Sequence, residues 1–278
     1  MASKFKCVMD RKKMSKATLI YFILAYLFSW CAYLPLALQG QGLLSGIPSW
    51  LHLAAGYGPL LAAFLVTAWT RGGAGVRELL NRMTRWRIGW GWLAVAAFSP
   101  AALFGGVILV MRLLTGTWQA AGGFGQVAEW NGLNWLTGWL AWILISGLGE
   151  ETGWRGFALP RLQFRYSARD ASFILGLLWA GWHAPTFFYN YELSLFSVLA
   201  FVVSIVAGAM LLTWLYNSTG GSLLATILWH GGYNAAVAGS EGAVAAVLTA
   251  AVILTFILIV RRYGAETLSP RPKQILED

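Results

Sequence analysis

Two adjacent glutamates end a run of about twenty uncharged, mostly apolar residues. They are Glu150 and Glu151 in "SGLGEETGWRGFALPRLQ", residues 146–163, and Arg155 follows four residues after the second. Further along, "WAGWHAP" (179–185) holds Trp179 and His183 four apart, and "WHGGYNAA" (229–236) holds His230 and Asn234 four apart. Ionisable groups inside apolar runs are costly and usually functional. Hydrolysis of a peptide bond needs a base to take a proton from water and donors to receive charge on the carbonyl oxygen. Glu150 suits the base, His183 a holder of the water, and His230 with Asn234 the donors to the oxyanion.

Helical spacing gives the two acids different duties. Glu151 and Arg155 stand at i,i+4 with the acid first, a favourable pairing, and Arg155 is expected to reach the membrane edge. Glu150 points about 100° away around the helix and lacks that partner, which leaves it free to act as a base. Trp179 lies one turn before His183 on the same face, and Pro185 removes a backbone hydrogen bond nearby. Two His and a Glu are also a catalytic zinc set, yet no H-E-x-x-H helix is present. A serine hydrolase is disfavoured by the absence of a G-x-S-x-G elbow. No cofactor is therefore expected, with a divalent metal such as zinc kept as the alternative. Plainer readings stand beside these. A lone intramembrane His is often a packing residue, Glu151 with Arg155 can serve only to fix topology, and Asn234 can be interhelical glue. His52, with no motif around it, is read as structural.

The elements that must carry these residues are membrane helices. The chain is 58% hydrophobic and 11% charged, with sixteen Trp, where a soluble domain has roughly 25% charged residues. Apolar runs long enough to span a bilayer need about 20 residues. They predict an all-α, polytopic membrane helix bundle of about eight spans, near 17–38, 50–70, 90–113, 133–154, 171–189, 194–216, 222–239 and 242–260. The turn signal "NSTGGS" (217–222) separates the sixth from the seventh. Residues 1–16 read as a basic tail, 17–260 as one membrane domain with its motif core at 146–235, and 261–278 as a second tail. The first apolar run has no trusted cleavage site and reads as a span.

With both termini in the cytoplasm, nineteen of the twenty Lys/Arg fall on that side and only Arg112 near the other, while the opposite loops carry Glu129, Glu192 and Glu241. That asymmetry satisfies the positive-inside rule. The net charge of +9 is thus a topology signal, and no nucleic-acid partner is expected. Residues 71–92 are either an amphipathic helix at the inner headgroups or an ordinary basic loop. Cys7 in the tail and Cys31 in the first run suggest neither a disulfide nor a thiolate zinc site. At 1.5 Å per residue, His230 lies roughly 12 Å, His183 roughly 18 Å and Glu150 roughly 6 Å from the inner boundary. They predict a polar cluster in the inner half of an inner (cell) membrane, open to the cytoplasm.

In order, "EETGWR" matches a Glu-Glu-x-x-x-Arg box, "WAGWH" an aromatic-x-x-x-His box and "HGGYN" a His-x-x-x-Asn box. This set resembles the CPBP family of CAAX proteases and bacteriocin-processing enzymes, also called the Abi family. The resemblance implies an intramembrane endopeptidase of the glutamic type, related to enzymes that remove the last three residues of prenylated CAAX proteins. It implies Glu150 with His183 as the catalytic pair, His230 and Asn234 as the oxyanion site, and Glu151 and Arg155 in support. Its partners would be the lipid bilayer and a peptide or a prenylated or otherwise lipidated protein. The second box opens with Trp179 where Phe is common, and that change is expected to affect packing more than chemistry. The competing reading is a non-proteolytic membrane protein, either an immunity or scaffold factor or a small-solute carrier using the same buried groups.

Overall fold

The computed structural model describes residues 14–118, 124–130, 132–191, 193–238 and 242–277. Cys7, most of the basic tail, Glu192 and Glu241 lie outside the described residues. Among those described the chain is helical throughout, without strands. The helices are α1 (Lys16–Gly40), a short α2 (Leu51–Ala55), α3 (Gly58–Met83), α4 (Trp90–Thr115), a long composite α5 (135–165), α6 (Ala168–Trp182), α7 (Leu195–Ser218), α8 (Leu223–Val237) and α9 (Gly242–Thr267). Side-chain caps start several of them. Ser15, Asn134, Ser167, Ser194 and Ser222 each accept a backbone N–H from the first turn, which satisfies donors that a helix leaves open.

Two kinds of helix make up the bundle. Among the described residues five helices are long and apolar enough to cross a membrane: α1, α2–α3 together (Leu51–Met83), α4, α7 and α9. Their outward faces are aliphatic and aromatic, as with Leu19, Ile23 and Leu27 on α1 and Phe196, Leu199 and Val203 on α7. This is the surface of a multi-pass membrane protein, since lipid rewards such a face and offers no partner to a polar one. The three helices bearing the polar motifs differ. α6 and α8 have 15 residues each, about 22 Å at 1.5 Å per residue against a core of about 30 Å. α5 is divided by two π-helical turns, Ile143–Gly147 and Trp154–Ala158.

Three local expectations change. The basic segment 155–169 is mostly helix, because α5 continues to Arg165 and only Tyr166 and Ser167 separate it from α6. Arg155 therefore does not reach the membrane edge; it is fully buried. Secondly, α6 stops at Trp182 with His183 as its cap, and Pro185 opens a 3₁₀ turn, Ala184–Phe188. Pro185 thus ends a helix rather than bending one. Thirdly, the 71–92 segment resolves toward the amphipathic helix. The backbone of α3 breaks at Gly72 (φ 58°) and then resumes, turning Gly75, Leu79 and Arg82 inward.

Polar contacts tie the helix ends into two opposite caps. At one end Arg82 Nη1 donates to Tyr216 Oη (3.0 Å), Gln163 and Asn217 exchange amide hydrogen bonds (3.1 and 2.7 Å), and Leu276 N–H donates to the Pro160 carbonyl (3.1 Å). At the other end Gln41 donates to the Phe188 carbonyl (3.0 Å), Trp142 Nε1 to the Gln126 carbonyl (2.9 Å) and Gly125 N–H to the Ala235 carbonyl (2.8 Å).

α5 and α8 touch backbone to backbone. A Cβ on Gly147 would collide with the Ile227 carbonyl, and one on Gly231 with the Ile143 backbone. Small residues permit such approach between membrane helices, and rigid backbone cannot move aside. Gly147→Val and Gly231→Val should each destabilise the bundle by at least about 1–3 kcal/mol, the usual cost of overpacking. Gly106→Ala on α4, where nothing lies within 4 Å, should leave stability unchanged or slightly raised. Thermal unfolding of the three variants in detergent checks the contrast.

Candidate active site

The motif helices converge on one cavity of about 740 Å³. Glu150 from α5, Trp179 and His183 from α6, and His230 and Asn234 from α8 all line it. Residues separated by more than eighty positions in sequence are thereby brought onto one surface.

The two acids occupy different environments. Glu151 is fully buried beneath the cavity, where its Oε1 accepts from Arg155 Nη1 at 2.7 Å. His230 Nδ1 comes within 2.9 Å of the same oxygen, so one carboxylate links α5 to α8. Glu150 is at the cavity wall and 6% exposed. Its Oε2 accepts from Trp179 Nε1 at 2.7 Å. The helical spacing therefore paired Glu151 with Arg155 as expected. It did not reveal that Glu150 also has a partner.

Trp179 contacts almost every polar member of the site. Its N–H holds Glu150, its ring lies 4.6 Å from the Arg155 guanidinium carbon, and it meets His230 edge-on at 5.2 Å between ring centres. Its backbone carbonyl lies 2.9 Å from His183 Nδ1. A carbonyl only accepts, so that ring nitrogen carries the hydrogen and the Nε2 lone pair of the neutral ring faces away from the helix. Trp in place of the common Phe was expected to affect packing more than chemistry; a Phe there would have no donor for Glu150.

Ser146 escaped the sequence reading. It lines the cavity one turn before Glu150, and its hydroxyl donates to the Trp142 carbonyl at 2.9 Å. Its single hydrogen is thus committed, and it accepts from Asn234 Nδ2 at 2.9 Å. This fixes which way the Asn234 amide points. His230 Nε2 lies 3.4 Å from the same amide nitrogen. The signal in sequence was a lone hydroxyl one turn from Glu150, too common a pattern to stand out. The π turn at Ile143–Gly147 matters too: it inserts an extra residue and so re-aims Ser146 relative to the acids.

His52, set aside as structural, also lines the cavity, with Nδ1 2.7 Å from Tyr189 Oη. Among the described residues no three His, Cys, Asp or Glu side chains form a group able to hold an ion. Glu150 and His183 are instead turned toward Trp179, and His230 Nδ1 toward Glu151.

The cavity does not run to the basic end of the bundle. Below the acids, Trp154, Arg155, Phe157 and Gln163 are fully buried. Its outer rim is formed by Gln126, Ala128 and Glu129, Asn190 and Tyr191, and Ala238, all at the other cap.

Residues 132–236 match the family described as Type II CAAX prenyl endopeptidase Rce1-like. That stretch runs from just before α5 to the end of α8 and contains every residue of the polar cluster. This core is similar to that family over little more than a third of the chain. CAAX prenyl protease 2 of Methanococcus maripaludis is 36% identical over 95 residues, which are 32% of this chain and 35% of that protein. The chain thus matches about a third of the length of this curated relative. The matched stretch takes in the composite α5, the short α6 and α8 and the long α7, and the long helices α1, α3, α4 and α9 lie outside it.

A buried ion pair of this kind is fragile to the loss of one member. Arg155→Met should cost about 3–5 kcal/mol, because it leaves Glu151 as an uncompensated buried charge. Combining it with Glu151→Gln should recover a large part of the loss. Thermal unfolding of the two single variants and the double variant measures the coupling.

Proposed function

We propose that the chain is an intramembrane endopeptidase of the glutamic type, acting on a membrane-associated or lipidated peptide. The observation that carries this reading is Glu150, held by Trp179 on the wall of a cavity that it shares with His183, His230 and Asn234. The Glu150 carboxylate takes one proton from a water as the water oxygen attacks the scissile carbonyl carbon. His183 Nε2 accepts from the other hydrogen and holds the water in line. His230 and Asn234 donate to the oxyanion as the carbonyl becomes tetrahedral. The C–N bond then breaks, and Glu150 returns its proton to the departing amine. Glu151, Arg155 and Trp179 are positioning residues. No cofactor takes part.

The substrate reading draws on the name of the relative and on the cavity. A prenylated or otherwise apolar chain would lie along Phe201, Ile205 and Leu212 of α7 and Val252 of α9, which continue the cavity wall as a mostly apolar surface. We further propose eight spans in a cell (inner) membrane with both termini in the cytoplasm, a single domain over 17–260, and terminal tails at 1–16 and 261–278.

Glu150→Gln should lower cleavage by about 10²–10⁴-fold, the range for loss of a general base. Quantitative profiling of peptide termini in membranes holding wild type or variant at matched levels tests this. No terminus specific to the wild type, with both proteins folded, would favour the scaffold or carrier reading. Elemental analysis that found stoichiometric zinc, lost on substituting His183 and His230, would overturn the glutamic mechanism. Trp179→Phe should retain the fold and lower kcat by about tenfold or more, since a hydrogen bond to a charged group is worth about 1.5–3 kcal/mol. Single-turnover rates on a substrate found by the profiling would measure it.

A further inference from the structure

We propose that the cavity is entered from the non-cytoplasmic side of the membrane, so that its substrate is a peptide exposed on that side. The inference rests on the cavity being the substrate site. It replaces the cytoplasmic opening expected from helix depths alone.

Charge orients the bundle first. Of the described Lys and Arg residues, those on α3 from Arg71 onward, those of 85–87 and of 161–169, and those of 261–273 cluster with Lys16 at one cap; Arg155 is in the buried layer, and only Arg112, in the last turn of α4, lies at the other cap. The positive-inside rule places the basic cap in the cytoplasm. Contacts confirm that these segments form one end: Arg85 donates to the Gly220 carbonyl, and Lys273 to the Tyr166 carbonyl.

The cavity faces the other way. Its rim residues Gln126, Ala128, Asn190 and Tyr191 are exposed, and they belong to the connections at the opposite cap. Toward the basic cap it ends on the buried layer that contains Trp154, Arg155 and Phe157, and no residue between 151 and 178 lines it. A peptide from the cytoplasm would have to cross that layer, including a buried guanidinium–carboxylate pair. A peptide from the other side meets an open rim. Among the described residues the charged side chain at that rim is Glu129, and no Lys or Arg lines the cavity. A neutral or basic peptide segment next to an apolar or lipid-bearing one fits this lining better than an acidic one.

Single cysteines in a Cys7→Ser, Cys31→Ser background would test the side of access. Ala128→Cys reports the rim, Ser204→Cys the cavity wall and Thr84→Cys the basic cap. Right-side-out and inverted vesicles would be treated with a membrane-impermeant methanethiosulfonate sulfonate. The expected result is at least tenfold faster modification of Ala128→Cys and Ser204→Cys in right-side-out vesicles, with Thr84→Cys showing the reverse. Modification of Ser204→Cys mainly in inverted vesicles, or equally in both, would overturn the proposal. Thiol labelling reads the side of access whether or not the protein cleaves peptides. Its failure is therefore distinct from failure of the protease reading.

Discussion

The buried contact between Glu151 and Arg155 is the constraint around which the core is arranged. Removing both charges from water costs several kcal/mol each, and only close, well-oriented partners offset that cost. The pair is local to α5, but it is not complete there. Arg155 also lies against the face of Trp179, and Glu151 also meets His230. A cation over an indole ring in a desolvated setting adds about 2 kcal/mol. Two helices from elsewhere in the chain thus help to stabilise charges that α5 cannot hold alone. α6 and α8 are drawn to α5 by electrostatics as well as by shape.

This arrangement explains why the polar helices are short or broken while the apolar ones are long. A helix facing lipid must satisfy its own backbone and present an unbroken apolar face. A helix enclosed by others is released from both demands. The two π turns of α5 are acceptable because the helix is enclosed, and they flank the acids closely on either side. The 3₁₀ turn after His183 likewise falls where Tyr189 and Gln41 close over it. The long helices form a casing whose inner surface is set by glycine contacts and by the edge-on rings of Tyr21, Trp154 and Trp182. The casing keeps the charged layer dry toward the basic cap and leaves the cavity open toward the other.

Within the cavity, hydrogen-bond capacity assigns orientation. Ser146 spends its one hydrogen on a carbonyl, so Asn234 must offer an amide hydrogen toward it. Trp179 offers a single N–H and gives it to Glu150. Each polar group has its direction set by a neighbour with fewer options. A site organised in this way has its side-chain directions set by hydrogen bonds before a substrate arrives.

Much of this could be read from the sequence. Composition and apolar run length decide that the protein is helical and lies in a membrane, because lipid admits few alternatives. The i,i+4 spacing of Glu151 with Arg155, and of His230 with Asn234, decides two contacts, since a helix surface is predictable over a single turn. The order of the three motifs points to the family. Tertiary structure alone decided the rest. Trp179 became the partner of Glu150 because α6 crosses α5 at that level, a fact with no local signature. Arg155 is sealed in rather than extended outward because α5 continues for ten residues beyond it. The rim of the cavity depends on which ends of the helices stay apart, and that is a property of packing rather than of any segment.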